Sequence, residues 1–248
     1  MLKVKSVTLG CLAVLGSLLS LTASGAAPEW TPESLSQAVS ALPQGNAEKG
    51  REVHTKLMCA GCHGPAGLAA MGNFPHVAGQ PEAVTKKSML DYRSGRRAQG
   101  AAMMMAGMAA RVSDEQIADL AAFYAAAPGS PGKAPKADDK TPAIDDAAVM
   151  VLVKKGDRTR GLTPCAACHG AGASGNPNGE VPVIHGQSAD YLKATLKSYR
   201  SGERSSDLLK EMRVFARVLT DEEIEGLARY YGSQPGRGAA APKAAPAK

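Results

Sequence analysis

Four short blocks in the first half of this 248-residue chain return in the same order in the second half. Cys59-Ala-Gly-Cys-His63 returns as Cys165-Ala-Ala-Cys-His169, at an offset of 106. Asn73-Phe-Pro75, leading to Gly79-Gln80, returns as Glu180-Val-Pro182, leading to Gly186-Gln187, at an offset of 107. Tyr92-Arg-Ser-Gly95 matches Tyr199-Arg-Ser-Gly202, and Val112-Ser-Asp-Glu-Gln-Ile117 matches Leu219-Thr-Asp-Glu-Glu-Ile224, both again at 107. Coincidence between Ala-rich helices does not keep four blocks in order, so one structural unit has been made twice. The expected domains are residues 46–128 and 143–232. Residues 129–142, rich in Pro, Gly and charge, read as a linker. Residues 233–248, rich in Ala, Pro, Gly and Lys, read as a disordered tail. Residues 28–45 hold an amphipathic stretch, Glu33 to Leu42, and the only tryptophan, Trp30; the sequence assigns them no role.

Each half reads as helical. Asn46 to Met58 leads into the first Cys-x-x-Cys-His block, and Pro81 to Arg93 forms a second helix. A third opens on Ser113 with Gln116 three residues on, the pattern of a capping box, and Thr220 with Glu223 repeats it in the second half. No stretch alternates as a half-buried strand would. The expected fold class is all-α, with two tandem domains related by internal duplication.

Cys-x-x-Cys-His is the attachment signature of haem c. Two cysteines three apart lie on one side of a helical turn, where their sulfurs can form thioethers to the two vinyl groups. The next residue, His, then lies under the iron. Cys59, Cys62 and His63 are expected to hold one haem, and Cys165, Cys168 and His169 the other. Zinc is the competing reading of paired Cys and His, but it leaves the separation of the two motifs unexplained. Aromatic residues make up only 4% of the chain, so two small aliphatic cores gain from a large apolar group in each.

The repeat also selects the second axial ligand. The first half offers Met71, Met89, Met103, Met104, Met105 and Met108, but after His169 the second half has only Met212. The offset of 107 pairs Met212 with Met105, whereas Met108 falls on Phe215 and Met89 on Leu196. Met105 and Met212 are therefore the expected sixth ligands. A thioether ligand raises the reduction potential, and two strong axial ligands leave no open site for oxygen or peroxide. His54, His76 and His185 have no matching places in the repeat and are expected at the surface or in support of the site; His54 falls near Arg160.

The net charge of +6 dissolves on inspection. Residues 28–128 carry nine acids and nine bases, and residues 141–232 carry twelve of each. The excess lies in Lys3 and Lys5, in the linker, and in Arg237, Lys243 and Lys248 of the tail. A nucleic-acid partner would need a basic patch on the folded surface and is not expected. Residues 1–26 read as a cleaved signal peptide: Lys3 and Lys5, an apolar run from Val7 to Leu21, and small residues up to Ala26. A lipid anchor on Cys11 is the lesser reading, since Thr8-Leu9-Gly10 is a poor match before it. With Cys11 removed, the remaining four cysteines all belong to the two motifs, and the mature protein is expected to be soluble and periplasmic.

Together these blocks resemble the dihaem cytochrome c4 family over residues 46–232. The carrying segments are CAGCH with NFPHVAGQ, YRSG, Met105 and VSDEQI, then CAACH with VPVIHGQ, YRSGER, Met212 and LTDEEI. The resemblance implies two class I cytochrome c domains packed about a pseudo-twofold, both haems ligated by His and Met. It implies an electron carrier rather than an enzyme, with redox partners such as quinol–cytochrome c reductase, a dehydrogenase or a haem–copper oxidase, and transient contact with membrane complexes. In class I cytochromes c a proline placed like Pro75 or Pro182 lends its carbonyl to the axial histidine; the alternative is a simple turn residue. The alternatives for function are a haem subunit of a dehydrogenase, of flavocytochrome c type, and a dihaem enzyme such as thiosulfate dehydrogenase. The chain departs from the family in its Pro-rich linker, its N-terminal extension and its basic tail.

Overall fold

The computed structural model describes residues 27–132, 144–176 and 179–236. The expected signal peptide, most of the linker and the tail beyond residue 236 lie outside the described residues. Within them the chain is all helical, in keeping with the sequence, with no strand and one isolated bridge between Asp157 and Leu162. No helix among them is long and apolar enough to cross a membrane.

The first half comprises α1 (Pro32–Ser40), α2 (Ala47–Lys56), α3 (Ala60–His63), α4 (Glu82–Arg93), α5 (Ala102–Ala109) and α6 (Asp114–Ala126). The second comprises α7 (Asp146–Lys154), α8 (Cys165–His169), α9 (Ala189–Ser201), α10 (Glu211–Arg217) and α11 (Asp221–Ser233). Both anticipated capping boxes form: Ser113 with Gln116 opens α6, and Thr220 with Glu223 opens α11. Each satisfies two backbone N–H groups that the first helical turn would leave bare. The repeated Tyr-Arg-Ser-Gly block gains a structural meaning here. Tyr92 and Tyr199 are buried, while Arg93 and Arg200 pair with Asp114 and Asp221 and donate to the carbonyls of Val112 and Leu219. The end of one helix is thereby tied to the start of the last.

Each domain has its own core. Met89, Leu90, Val112, Ile117, Leu120 and Tyr124 build the first; Val149, Leu152, Leu192, Ile224, Leu227 and Tyr231 build the second. In the first, α2 crosses α6 at Gly50, where a Cβ atom would stand 2.0 Å from the Asp119 carbonyl oxygen. Only glycine permits that approach.

The repeat offset does not hold upstream of the haem motifs. The N-caps of α2 and α7 are Asn46 and Asp145, an offset of 99 rather than 106. A loop inserted after α7 makes up the difference, turning through the 3-10 segment Arg158–Arg160. Arg160 fastens it, donating to Asp157, to Glu223 and to the Val218 carbonyl. The structural counterpart of His54 is consequently the buried Val153 on α7, and the expected match with Arg160 is corrected.

Residues 28–45, which the sequence left without a role, join the two domains. Trp30 donates from Nε1 to Asp91 at 2.6 Å and carries the Arg96 guanidinium 3.5 Å above its ring. Glu29 reaches the second domain and pairs with Arg213 at 2.8 Å. Lys87 pairs with the buried Asp91 and donates to the Ser206 carbonyl across the interface. The buried Arg97 bonds the Tyr191 hydroxyl at 3.0 Å. Burial pushes that hydroxyl's pKa up, but Arg97 and Arg204 outweigh it and the net shift is downward. The chain end also docks beyond the expected domain edge. Serine 233 closes α11, and Gly236 donates to the Ser130 carbonyl at 2.7 Å, so residues 233–236 pack on the first linker residues and are not part of a free tail.

Candidate cofactor sites

The two Cys-x-x-Cys-His segments form short helical turns, α3 following Cys59 and α8 beginning at Cys165. None of the four cysteines of these segments is in a disulfide. Cys168 is exposed and the other three are half-buried, and burial raises the pKa of Cys59 and Cys165.

His63 and His169 are buried, and each ring is oriented by a proline carbonyl. The Nδ1 of His63 donates to the Pro75 oxygen at 3.0 Å, and the Nδ1 of His169 to the Pro182 oxygen at 3.0 Å. A carbonyl only accepts, so Nδ1 carries the proton in both rings and Nε2 keeps its lone pair. Burial lowers both histidine pKa values, against the carbonyl bonds that raise them. A neutral imidazole, held by one nitrogen and free at the other, is the form a metal ligand takes. The choice left open in the sequence between a carbonyl partner and a mere turn residue is resolved in favour of the carbonyl for both prolines.

The methionines sort by position. Met89 belongs to the first core; Met71, Met103 and Met104 are exposed. Met105, the fourth residue of α5, is half-buried and packs on that core. Met212, the second residue of α10, is also half-buried. The helices end alike, with Ala109 and Ala216 fully buried and their carbonyls accepting from Val112 and Leu219. They begin differently. Leu209 and Lys210 both have positive φ, 53° and 62°, a costly backbone for residues with a Cβ. Arg213, next to Met212, holds this turn by bonding Asp207 through its backbone N–H and its Nε, and Glu29 holds Arg213 from outside.

None of the three remaining histidines is exposed. His54 is 1% accessible. Its Nε2 donates to the Gly64 carbonyl at 2.9 Å, which leaves Nδ1 to accept from the Tyr124 hydroxyl at 2.9 Å. It thus fastens the residue after His63 to the last helix. The second domain has Val153 in its place, and there the buried Tyr231 hydroxyl has no histidine to meet and turns to the Cys165 thiol. His185 packs on the rings of Tyr230 and Tyr231. His76 lies at the domain interface with its Nδ1 buried and unbonded.

His54→Val, copying the second domain, should cost the first roughly 1–3 kcal/mol, because the Gly64 carbonyl loses its partner and the Tyr124 hydroxyl keeps only the Cys59 thiol. Tyr124→Phe in the same chain should restore part of it; denaturant titration gives both numbers. The burial that depresses the His54 pKa also sets a pH trend. The folded state keeps the ring neutral while the unfolded chain protonates it near pH 6.5. His54 therefore costs nothing above that pH and destabilises the fold progressively below it.

The donor set fits a covalently attached haem: two cysteines on one turn, in no disulfide, followed by a histidine with Nε2 available. Among the described residues no group of three His, Cys, Asp or Glu side chains is gathered as a metal site.

Comparison with known proteins agrees with this arrangement. The family described as Cytochrome c matches residues 47–126 and 153–234. Cytochrome c4 of Thiocapsa roseopersicina is 33% identical over 191 residues, covering 77% of this chain and 94% of the relative. The thiosulfate dehydrogenase electron acceptor of Stutzerimonas stutzeri (strain A1501) is 33% identical, covering 77% of this chain and 88% of the relative. The crystal structure of reduced recombinant cytochrome c4 from Pseudomonas stutzeri superposes with a TM-score of 0.64 at 28% identity, over 77% of this chain and 99% of the other.

Proposed function

Because this chain belongs to the cytochrome c family, as a cytochrome c4-like electron carrier with two covalent haem c groups, we propose that it works in the periplasm. It is exported by a signal peptide cleaved after Ala26 and folds as two domains, the first over 46–128 and the second running on through Ser233. It takes single electrons from a dehydrogenase or from quinol–cytochrome c reductase and passes them to a terminal acceptor such as a haem–copper oxidase. A dehydrogenase donor has specific support, since one relative is named as the electron acceptor of thiosulfate dehydrogenase.

The haem c groups supply iron that takes up and releases one electron each. Cys59 and Cys62 would tether the first, with His63 and Met105 holding its iron; Cys165 and Cys168 would tether the second, with His169 and Met212 holding its iron. The observation that carries this reading is the histidine held by a proline carbonyl through Nδ1, made twice. Iron held by both His and Met would leave substrate no place on it, which favours a carrier over an enzyme.

Partners meet an apolar surface. Met103 and Met104 are 66% and 61% accessible beside Met105; Leu209 and Val214 are 64% and 54% accessible beside Met212. Each folded half is formally neutral, so long-range steering is weak. The test follows reduction by purified thiosulfate dehydrogenase across ionic strength, with and without residues 237–248. Two electrons per chain and a shallow salt dependence are expected. Uptake of one electron, or a steep dependence that survives removal of the tail, refutes this reading.

A further inference from the structure

The repeated Gly-Gln pairs meet at the domain interface. The Gln187 side chain crosses to the first domain, where its Oε1 accepts from the His76 N–H at 2.8 Å and its Nε2 donates to the His76 carbonyl at 2.8 Å. Gln80 does the same in reverse: its Oε1 accepts from the Val183 N–H at 3.1 Å and its Nε2 donates to the Val183 carbonyl at 2.8 Å. Residues 76 and 183 are themselves related by the repeat offset of 107. The clasp is reciprocal, as contacts about a twofold must be. The preceding glycines launch the two arms. Gly79 and Gly186 have φ of 75° and 71°, and their N–H groups bond the carbonyls of Tyr124 and Tyr231 at 2.8 and 2.9 Å.

The peptide groups that are clasped are the ones that hold the axial histidines. The carbonyl of Pro75 accepts from His63, and the N–H on the other end of that peptide, at His76, donates to Gln187. The carbonyl of Pro182 accepts from His169, and the N–H of Val183 donates to Gln80. Each chain runs His Nδ1–H to peptide C=O, then peptide N–H to glutamine Oε1. Bonds in such a chain polarise one another. A peptide whose N–H is engaged has a more basic carbonyl, which draws the imidazole proton further and makes the ring a stronger donor to the metal. A stronger donor favours the oxidised metal.

We propose that Gln80 and Gln187 are positioning residues that lower the reduction potential of the haem in the opposite domain, through the peptide that hydrogen-bonds its axial histidine. The inference rests on the reading of His63 and His169 as axial ligands. The backbone, not the side chain, is gripped, so the clasp works equally on His76 and Val183. The potentials of both haems then depend on the domains staying docked.

The test uses the full chain with both haems, titrated one haem at a time through their resolved proton resonances. Gln187→Ala should shift the first haem roughly threefold toward ferrous, about 30 mV at 59 mV per decade, and leave the second unmoved. Gln80→Ala should shift the second and leave the first. Ser188→Ala, which removes the side-chain bond across the interface to the Gly72 carbonyl, should shift neither. If an alanine variant does not mature, Gln→Asn, one methylene too short to reach, should give the same crossed pattern. A shift in the variant's own domain, an equal shift in both haems, or no shift in a folded variant overturns the proposal. Low-spin spectra retained throughout keep the ligand reading separate, since loss of His ligation would change them first.

Discussion

Met105→Ala should remove the sulfur-to-iron charge-transfer band of the first haem, and Met212→Ala that of the second, each substitution leaving about half of the total band intensity. The affected potential should fall by on the order of 100 mV or more, within the roughly 0.8 V that axial ligands span. Met89→Leu is the internal control. Met89 is packed in the core, so its loss should cost stability and leave the band alone. The competing ligand in the first domain is Met108, one helical turn beyond Met105 on α5. A Met105→Ala spectrum identical to the native one would transfer the role to it. In the second domain no methionine stands in reserve after His169. Met212→Ala should therefore convert that haem to high spin or open it to exogenous ligands.

Loss of one thioether has a larger structural effect. Cys62→Ala or Cys168→Ala should yield chains with about one securely attached haem in place of two. The affected domain should lose several kcal/mol, because the free energy of binding is also free energy of folding when the site exists only in the folded state. Each domain is under 100 residues by the expected bounds, a size at which the apolar core alone is marginal. Haem quantitation and far-ultraviolet circular dichroism measure the two effects, and a stable, fully helical apo-domain would contradict the argument. The interface adds a graded expectation. Arg97, Lys87 and the two glutamines reach across it, so melting of one domain should lower the midpoint of the other.

Much of this was legible in the sequence where local chemistry decides. Ser113 with Gln116 and Thr220 with Glu223 marked helix starts because capping depends on four neighbouring residues only. The repeat selects Met105 over Met108 as the expected ligand; both are half-buried on α5, and Met105 packs on the core. What could not be read depends on distant partners. α2 (Ala47–Lys56) is mostly polar and buries Gly50 and His54, one turn apart; neither residue signals a core position. His54 is tolerated inside only because Tyr124 and Gly64 satisfy both its nitrogens. The inserted loop after α7 hid the true match of His54, although the N-caps Asn46 and Asp145 carried a trace of it. The glutamine arms were visible as a repeated pair, but their target lies in the other half of the chain.

The crossing of α2 with α6 and that of α7 with α11 are built in opposite senses. In the first, the small residue is Gly50 on α2, against Asp119 on α6; in the second it is Gly226 on α11, whose missing Cβ would meet Ile144 and Val149 at 2.8 and 2.9 Å. Asp119 and Gly226 occupy the same repeat position, as do Gly50 and Val149 when the inserted loop is allowed for. A helix exchanged between the halves would therefore meet the wrong mate. α7 against α6 would drive Val149 into Asp119, and α2 against α11 would face glycine with glycine and leave a void. Tandem copies of one ancestor are prone to such mispairing while they fold. Here the two copies carry the small residue on opposite sides of the crossing, so that a swapped pairing packs worse than the native one.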